Sequence, residues 1–252
     1  MSDRATEARQ LIACLDLTDL NEDCTSADVE TLVRRASTPE GDVAAICIWP
    51  RFVAEARAIL PAGIQLATVV NFPGGGEDVA ATVAETHQAV ADGADEIDLV
   101  ISYRRVAADP SFVEAQVRAV KAAAGTARLK AILETGELAD PDLILSAAEA
   151  ALEGGADFLK TSTGKVPVSA TPEAAGILLQ AIANAGVRVG FKPSGGIRRF
   201  EDAKLYRDMA EEICGPGWAR PDRFRLGASG VLTDLLRVAG GAAQGASAPG
   251  GY

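Results

Sequence analysis

Short runs of apolar, largely β-branched residues alternate along the chain with longer Ala-rich stretches that carry Glu, Asp or Arg on one face. Short apolar runs are typical of buried strands, whereas the longer stretches have the character of amphipathic helices. Successive runs are about thirty residues apart, which is the size of a βα unit. The predicted strands begin near Leu11, Ala44, Gln65, Glu96, Arg128, Asp157, Val187 and Phe224.

Capping residues followed by proline or an acidic residue mark several helix starts, because both favour the first turn of a helix. These starts are Thr25-Ser26-Ala27-Asp28, Asp109-Pro110, Asp140-Pro141 and Thr171-Pro172-Glu173. The tripeptide Gly-Ala-Asp recurs at Gly93 and Gly155 just before a strand, where glycine can close the preceding helix.

Eight strand–helix units in 252 residues predict an α/β fold, a single-domain (β/α)₈ TIM barrel spanning residues 1–239. A doubly wound open sheet is the alternative. No G-x-G-x-x-G motif follows the first strand, which argues against a dinucleotide-binding version of that sheet. Residues 240–252 are rich in Gly and Ala and are predicted to form a flexible tail.

Composition narrows the classes of function. The chain is 48% hydrophobic, has no apolar stretch long enough for a membrane span, and shows no secretory signal at its start. Its formal net charge of −11 argues against nucleic acid as a partner. An anionic small substrate would therefore have to bind through local cations and helix N-termini. We expect a cytoplasmic protein with no membrane association.

The cysteine and histidine content of the sequence gives little support for a metal site or a catalytic Ser/His/Asp triad. Cys14, Cys24, Cys47 and Cys214 are scattered without a CxxC pair, and the single histidine, His87, lies in a predicted helix. Zinc sites and Ser/His/Asp triads need histidines or closely spaced cysteines. We therefore expect no metal, no cofactor and reduced thiols, with Cys47 as a core thiol rather than a nucleophile.

Three of the six lysines, Lys130, Lys160 and Lys192, lie within short apolar runs, although arginine outnumbers lysine three to one. A buried ammonium loses hydration that apolar neighbours cannot replace. Burial and a neighbouring cation both lower the pKa of an amine, which frees its lone pair for attack on a carbonyl. The pattern indicates a Schiff-base enzyme. The alternative is that each amine reaches solvent or balances a carboxylate.

Alternation along the strands suggests that these groups meet. Side chains two residues apart share a face, and a barrel presents its active site at the carboxyl ends of its strands. Asp98 points inward if Ile97 and Leu99 pack against the helices. Asp98, Lys130, Lys160 and Lys192 would then converge from successive strands. Glu134 could orient these lysines or cap the next helix.

Glycine-rich loops follow the last three predicted strands. They contain Gly164 and Lys165 after the sixth strand, Gly195 and Gly196 after the seventh, and Gly227, Ser229 and Gly230 after the eighth. Barrels often bind phosphate in the loops after strands seven and eight, where glycine lets backbone N–H groups approach the oxygens. The loops predict a phosphate site, and simple tight turns are the alternative.

Seven motifs that appear in order carry a family resemblance. They are Leu15-Asp16-Leu17-Thr18, Ala45-Ile46-Cys47-Ile48-Trp49-Pro50-Arg51, Val70-Asn71-Phe72-Pro73-Gly74-Gly75, Gly93-Ala94-Asp95-Glu96-Ile97-Asp98, Glu134-Thr135-Gly136-Glu137-Leu138, Lys160-Thr161-Ser162-Thr163-Gly164-Lys165 and Gly190-Phe191-Lys192-Pro193-Ser194-Gly195-Gly196. The chain resembles the deoxyribose-phosphate aldolases from about Leu11 to Arg237. The pairing of K-T-S-T-G-K with G-F-K-P-x-G-G is highly specific.

The resemblance implies a class I aldolase that interconverts 2-deoxy-D-ribose 5-phosphate with D-glyceraldehyde 3-phosphate and acetaldehyde. Lys160 matches the Schiff-base lysine of the family. Lys192 matches the second lysine that lowers the pKa of the first, and Asp98 matches the acid/base that moves protons through a water. Lys130 matches a further hydrogen-bonded lysine.

The resemblance also implies that Asp16 and Thr18 lie near the substrate. Gly230 departs from the family pattern, since a second serine is expected there; the backbone N–H remains but a hydroxyl is lost. The chain ends in Tyr252, as in members where a terminal tyrosine assists proton transfer. A disordered tail is the alternative for Tyr252.

Two other functions remain open at this point. One is another Schiff-base phosphosugar aldolase or a transaldolase. The other is a non-catalytic phosphosugar-binding barrel, which would keep the glycine loops but would not need three buried lysines. The expected partners are small phosphorylated sugars and aldehydes, and a homodimer is the expected assembly.

Overall fold

Eight parallel strands form one sheet in the computed structural model, which describes residues 3–241. We label the strands in chain order, and seven of the eight begin within three residues of the predicted start. They are β1 (Leu15–Asp19), β2 (Ala45–Ile48), β3 (Gln65–Val70), β4 (Glu96–Val100), β5 (Arg128–Ile132), β6 (Phe158–Lys160), β7 (Gly190–Lys192) and β8 (Leu226–Ala228).

The sheet closes on itself. Neighbouring strands follow chain order from β1 to β7, and β8 pairs with β1 in parallel register. Strands β7 and β8 are joined by parallel bridges between Phe191 and Phe224 and between Ser194 and Gly227. The N–H of Gly227 also donates to the carbonyl oxygen of Pro193 at 2.9 Å. The predicted (β/α)₈ barrel is confirmed, and the open doubly wound sheet is excluded.

Helices surround the barrel. They are α1 (Arg4–Ala13), α2 (Ser26–Ala36), α3 (Val53–Ile59), α4 (Val79–Ala91), α5 (Pro110–Ala124), α6 (Thr135–Leu138), α7 (Pro141–Glu153), α8 (Pro172–Asn184), α9 (Phe200–Cys214) and α10 (Val231–Ala239). Single 3₁₀ turns occupy Pro50–Phe52 and Tyr103–Arg105, and a short antiparallel pair joins Ser37–Thr38 to Gly41–Asp42. No helix within residues 3–241 is long and apolar enough to cross a membrane.

The predicted helix starts are confirmed. Thr25 and Asp28 form a reciprocal capping box at the start of α2. The side chains of Asp109, Asp140 and Thr171 accept hydrogen bonds from backbone N–H groups in the first turns of α5, α7 and α8, each of which has proline at its start. These caps satisfy N–H groups that have no partner within the helix.

The predicted start of the first strand is wrong. Leu11 lies in α1, and β1 begins at Leu15. Ala8, Leu11 and Ile12 are fully buried, and Leu11 and Ile12 follow Ala8 by three and four residues, so they form the inner face of a helix. The apolar run continues through Cys14 into the strand with no polar break, which is why the pattern alone did not separate the two elements.

Alternation along the strands separates two interiors. In β1, Leu15 and Leu17 belong to the main apolar core between the sheet and the helices. Asp16, between them, points into the barrel, where it contacts charged groups from other strands. On the other side of the barrel, β2 and β3 place Cys47, Ala67 and Val69 in a small apolar cluster. The barrel interior is therefore charged on one side and apolar on the other.

The predicted tail begins where α10 ends. Gly240 caps α10 through backbone hydrogen bonds to residues of its last turn. The remainder of the predicted tail, including Tyr252, lies outside the described residues.

Gly190, at the start of β7, makes room for an aromatic ring inside the barrel. A Cβ atom built on Gly190 would lie 2.3 Å from Phe158 Cε1 and 2.6 Å from the carbonyl oxygen of Arg223. Neither contact is tolerable, and the carbonyl belongs to the backbone that joins β7 to β8. Phe158 and the closure of the barrel therefore both depend on the missing side chain.

We predict that Gly190→Ala lowers the free energy of unfolding by about 1–3 kcal/mol, because overpacking shifts the ring or the backbone. Gly74→Ala is the matched control, since a Cβ there would meet nothing within 4 Å. The control should stay within about 0.5 kcal/mol of the wild type. Urea unfolding measures both variants, and equal stability of the two would contradict the packing argument.

Candidate active site

Charged side chains from four successive strands meet inside the barrel. Asp98 pairs in register with Lys130 on the next strand, and Lys160 pairs with Lys192. Lys160 Nζ lies 2.7 Å from Asp98 Oδ2, and Lys192 Nζ lies 2.8 Å from the same oxygen. Lys130 Nζ lies 2.9 Å from Asp98 Oδ1. The structure thus brings together the four residues that the alternation of the strands suggested.

Two more carboxylates complete this cluster. Asp16 Oδ2 lies 2.5 Å from Lys192 Nζ and 3.3 Å from Lys130 Nζ. Glu96 Oε2 lies 2.5 Å from Lys130 Nζ. The side chains of Asp16, Glu96 and Lys130 are fully buried. Asp16, expected near the substrate, therefore lies within the buried cluster and holds two of its lysines.

The pKa of Lys160 lies below its ordinary value. Burial is the main cause, and the neighbouring ammonium of Lys192 lowers this pKa further, against the opposing attraction of Asp98. Among the described residues, the ion pairs of Lys160 involve Asp98 alone. Lys160 is therefore the amine in the cluster that gives up its proton most readily.

Lys192 and Lys130 behave in the opposite way. Burial alone would lower the pKa of Lys192, but Asp16 and Asp98 together outweigh burial and raise this pKa. The pKa of Lys130 is also raised, because three carboxylates outweigh its burial. Burial would raise the pKa of Asp98, but the three lysines hold this pKa well below its ordinary value. Lys130 and Lys192 stay charged, and Asp98 stays ionised.

A cavity of about 480 Å³ opens at the carboxyl ends of β1 and β6–β8. Eight predicted substrate-binding residues line it: Thr18, Gly164, Lys165, Gly195, Gly196, Gly227, Ser229 and Gly230. The hydroxyl of Thr18 donates to the backbone oxygen of Asp16 at 2.8 Å, which ties the cavity wall to the buried cluster.

Gly227 brings the cavity close to the lysines. A Cβ atom at this position would lie 2.5 Å from Ser194 Oγ and 3.1 Å from Lys192 Cε. The absence of a side chain at Gly227 thus lets the glycine loops approach the cluster. A molecule bound in the cavity can have one end at the loops and the other directed towards the amines.

Glu134 anchors the loop after β6. Its carboxylate accepts hydrogen bonds from the backbone N–H of Thr163 at 3.1 Å and from Thr163 Oγ1 at 2.6 Å. Its side chain makes no capping bond to α6, and the pKa of Glu134 is raised by burial. Thr163 Oγ1 accepts from the N–H of Lys165 at 3.0 Å, and the exposed Lys165 reaches the carbonyl oxygen of Leu20 at 2.7 Å. Glu134 therefore positions the cavity wall.

Cys47 points towards the cluster but does not have the character of a nucleophile. It is fully buried, and burial raises the pKa of its thiol, with a further contribution from Asp98. The thiol is thus held in its protonated form, in agreement with a core role.

Three charged residues near the site were not predicted from the sequence. Arg198 lines the cavity, Glu96 binds Lys130, and Arg225 binds both Asp16 and Glu96. Glu96 lies on the same strand face as Asp98. Arg225 lies within the apolar segment Phe224-Arg225-Leu226 and so carries the same signal that drew attention to the lysines.

The fold and the site define a barrel enzyme of the lysine-dependent lyase class. The family model described as DeoC/LacD family aldolase matches residues 10–233, and the chain belongs to this family. A deoxyribose-phosphate aldolase of Agrobacterium fabrum (strain C58) is 57% identical over 254 residues, covering 99% of this chain and 98% of the relative.

Solved structures agree with this assignment. The apo-form of a Toxoplasma gondii ME49 protein, assigned as a deoxyribose-phosphate aldolase, matches with a TM-score of 0.85 at 31% identity, covering 93% of this chain and 95% of that chain. A deoxyribose phosphate aldolase from Aeropyrum pernix, described as tetrameric, matches with a TM-score of 0.75 at 27% identity, covering 93% and 96%. The resemblance noted in the sequence is confirmed over nearly the whole chain.

Proposed function

We propose that the chain reversibly cleaves 2-deoxy-D-ribose 5-phosphate to D-glyceraldehyde 3-phosphate and acetaldehyde through a Schiff base on Lys160. The observation that carries this proposal is a buried amine of lowered pKa, held by one carboxylate and placed beside the ammonium of Lys192, whose pKa is raised. The names of the Agrobacterium and Aeropyrum relatives support this choice of substrate.

The first steps form an iminium ion. The lone pair of neutral Lys160 Nζ attacks C1 of the open-chain sugar, and the carbonyl oxygen becomes a hydroxyl. Lys192 donates the proton with which this hydroxyl leaves as water. The resulting C=N⁺ group accepts electrons more readily than the carbonyl group that it replaces. Its formation therefore makes the later cleavage of the carbon–carbon bond easier.

The iminium ion then accepts the electron pair of the C2–C3 bond. Asp98, acting through a water, accepts the proton of the C3 hydroxyl, so that C3 becomes the aldehyde carbon of glyceraldehyde 3-phosphate. The enamine left on Lys160 takes a proton at C2. Addition of water to the iminium releases acetaldehyde and restores the free amine. Lys130 keeps Asp98 in place through its contact at 2.9 Å.

The phosphate binds among the glycine loops in this proposal. Backbone N–H groups at Gly164, Gly196 and Gly230 are available in the cavity wall, and Ser229 adds a hydroxyl. The N–H of Gly195 donates instead to the carbonyl oxygen of Gly227 at 3.3 Å, which joins two of the loops. Lys165 and Arg198 line the same cavity and bring positive charge to an otherwise acidic protein. The loss of one hydroxyl at Gly230 leaves this set of donors otherwise intact.

Assembly and location remain predictions. We propose that the chain forms a homo-oligomer, with the expected homodimer as the smallest unit; the tetrameric description of the Aeropyrum relative supports self-association. Sedimentation equilibrium measures the state directly, and a monomer at all concentrations would contradict this proposal. The cytoplasmic location rests on the sequence.

Incubation with acetaldehyde and borohydride should add one ethyl group to the peptide that contains Lys160. Hydride reduces the iminium to a stable secondary amine, and mass spectrometry locates it. Lys160→Arg should abolish both the adduct and turnover, because its guanidinium has no usable lone pair. Lys165→Arg, the matched control in the exposed loop, should keep the adduct. An adduct confined to another lysine would overturn the assignment, and a barrel that only binds phosphosugars would give none.

Lys192→Leu should lower activity at neutral pH by roughly two or more orders of magnitude, because it removes a charge that lowers the pKa of Lys160. With the pKa of Lys160 raised, activity in the variant should increase as pH rises and the amine loses its proton. The pH dependence of kcat/KM checks this prediction. A profile with the same midpoint as the wild type would contradict the electrostatic role of Lys192.

Gly196→Val should weaken binding of the phosphorylated sugar far more than it slows turnover of unphosphorylated 2-deoxyribose. Gly196 has φ +80° and lines the cavity. Gly217→Val is the matched control, since Gly217 has φ +76° and equally open surroundings but lies away from the cavity. Comparison of KM for the two sugars tests the prediction, and equal losses on both sugars would show that the loop at Gly196 is structural.

A further inference from the structure

Arg225 is buried beside the charged cluster and does not line the cavity. It is 2% exposed and immediately precedes β8. Its guanidinium lies 2.6 Å from Asp16 Oδ1, and it contacts both oxygens of Glu96, at 2.8 and 3.1 Å. Its Nε donates to the carbonyl oxygen of Pro221, and the ring of Phe158 lies 5.8 Å away. Every one of these contacts fixes the guanidinium in place.

Arg225 shares both of its carboxylates with the lysines of the site. Asp16 uses Oδ1 for Arg225 and Oδ2 for Lys192. Glu96 Oε2 contacts both Arg225 and Lys130. The permanent positive charge of Arg225 is therefore linked through one shared carboxylate to Lys192 and through another to Lys130. Both of these lysines contact Asp98, which is also the carboxylate that holds Lys160.

The charges of this cluster do not balance. Lys130, Lys160, Lys192 and Arg225 supply four cations, whereas Asp16, Glu96 and Asp98 supply three carboxylates. The fully protonated cluster therefore carries one excess positive charge in a buried place. Loss of one proton from one lysine neutralises it.

Other titratable groups lie near the cluster. Glu134 interacts electrostatically with Lys160, but its carboxylate is hydrogen-bonded to Thr163 and forms no ion pair with a lysine of the cluster, so it is not counted among the three carboxylates. Arg128 contacts Glu96 Oε1 at 3.0 Å, but its side chain is 41% exposed, so that solvent screens its charge. Cys14 and Cys47 face the cluster as buried thiols; burial raises the pKa of Cys14 to about 12 and also raises that of Cys47, which keeps both neutral.

We propose that Arg225 is a positioning residue that supplies the excess positive charge of the cluster and thereby makes Lys160 the neutral amine. This inference rests on the proposed Schiff-base function and deepens it. Arginine does not lose its proton in proteins. The proton must therefore come from a lysine, and Lys160 contacts one carboxylate while Lys192 contacts two and Lys130 contacts three.

The test compares two variants whose charge changes have opposite signs. Arg225→Met removes a cation, leaves three cations for three carboxylates, and should favour the protonated form of Lys160. Glu96→Gln removes a carboxylate, increases the excess positive charge, and should favour the neutral form. The readout is the rate at which acetaldehyde and cyanoborohydride ethylate Lys160 as a function of pH. Acetaldehyde has no titratable group, so changes in the midpoint of this rate between variants report on the enzyme.

The midpoint should rise by about one pH unit or more in Arg225→Met and should fall in Glu96→Gln. Below the midpoint, a rise of one unit corresponds to a rate about tenfold lower at a given pH. Arg225→Lys, which keeps the charge, should stay close to the wild type. A merely structural role would lower the rate in both variants without opposite shifts.

Unchanged midpoints, or shifts in the same direction in both variants, would overturn the role of Arg225. If Arg225→Met does not fold, Glu96→Gln and Arg225→Lys decide the question, since a midpoint in Glu96→Gln that does not fall contradicts the charge argument. Failure of the proposed function gives a different result, because wild-type Lys160 would then form no adduct at any pH.

Discussion

The Asp98 carboxylate, shared by the amino groups of three buried lysines, is the interaction on which the site depends. It holds Lys130, Lys160 and Lys192 within 2.9 Å of its two oxygens, although the like charges of the lysines repel one another. Buried ion pairs are costly to form, and hydrophobic replacements are often as stable. The cluster is therefore better explained by chemistry than by stability, because burial and excess positive charge both lower the pKa of an amine.

The barrel supplies both conditions. Inward and outward side chains alternate along each of its strands. The inward charged groups of neighbouring strands therefore meet near the barrel axis. The apolar cluster around Cys47, Ala67 and Val69 occupies the other side of the interior. Because Gly227 has no side chain, a phosphorylated substrate in the cavity can approach the amines, although the amines are themselves buried.

Much of this architecture could be predicted from the sequence. Apolar runs placed seven of the eight strands within a few residues, and alternation predicted the convergence of Asp98 with the three lysines. The start of β1 was predicted wrongly because the buried face of α1 runs into the strand without a polar break. The partners of Asp16 and the roles of Glu96 and Arg225 were not predicted. Their contacts cross the barrel between β1, β4 and β8, and only the closed sheet determines which side chains meet.

Lys160 is the one lysine of the cluster whose pKa lies below the ordinary value, and this difference from Lys130 and Lys192 is what makes it the Schiff-base amine. NMR titration of protein carrying ¹³C at the lysine ε-carbons tests it directly, because the chain has only six lysines and loss of one signal in Lys160→Arg assigns its resonance. Lys160 should titrate below the ordinary lysine pKa of about 10.4, while Lys130 and Lys192 should keep their protons above it. A Lys160 resonance that titrates at or above the ordinary value, or a neutral Lys192, would contradict the account.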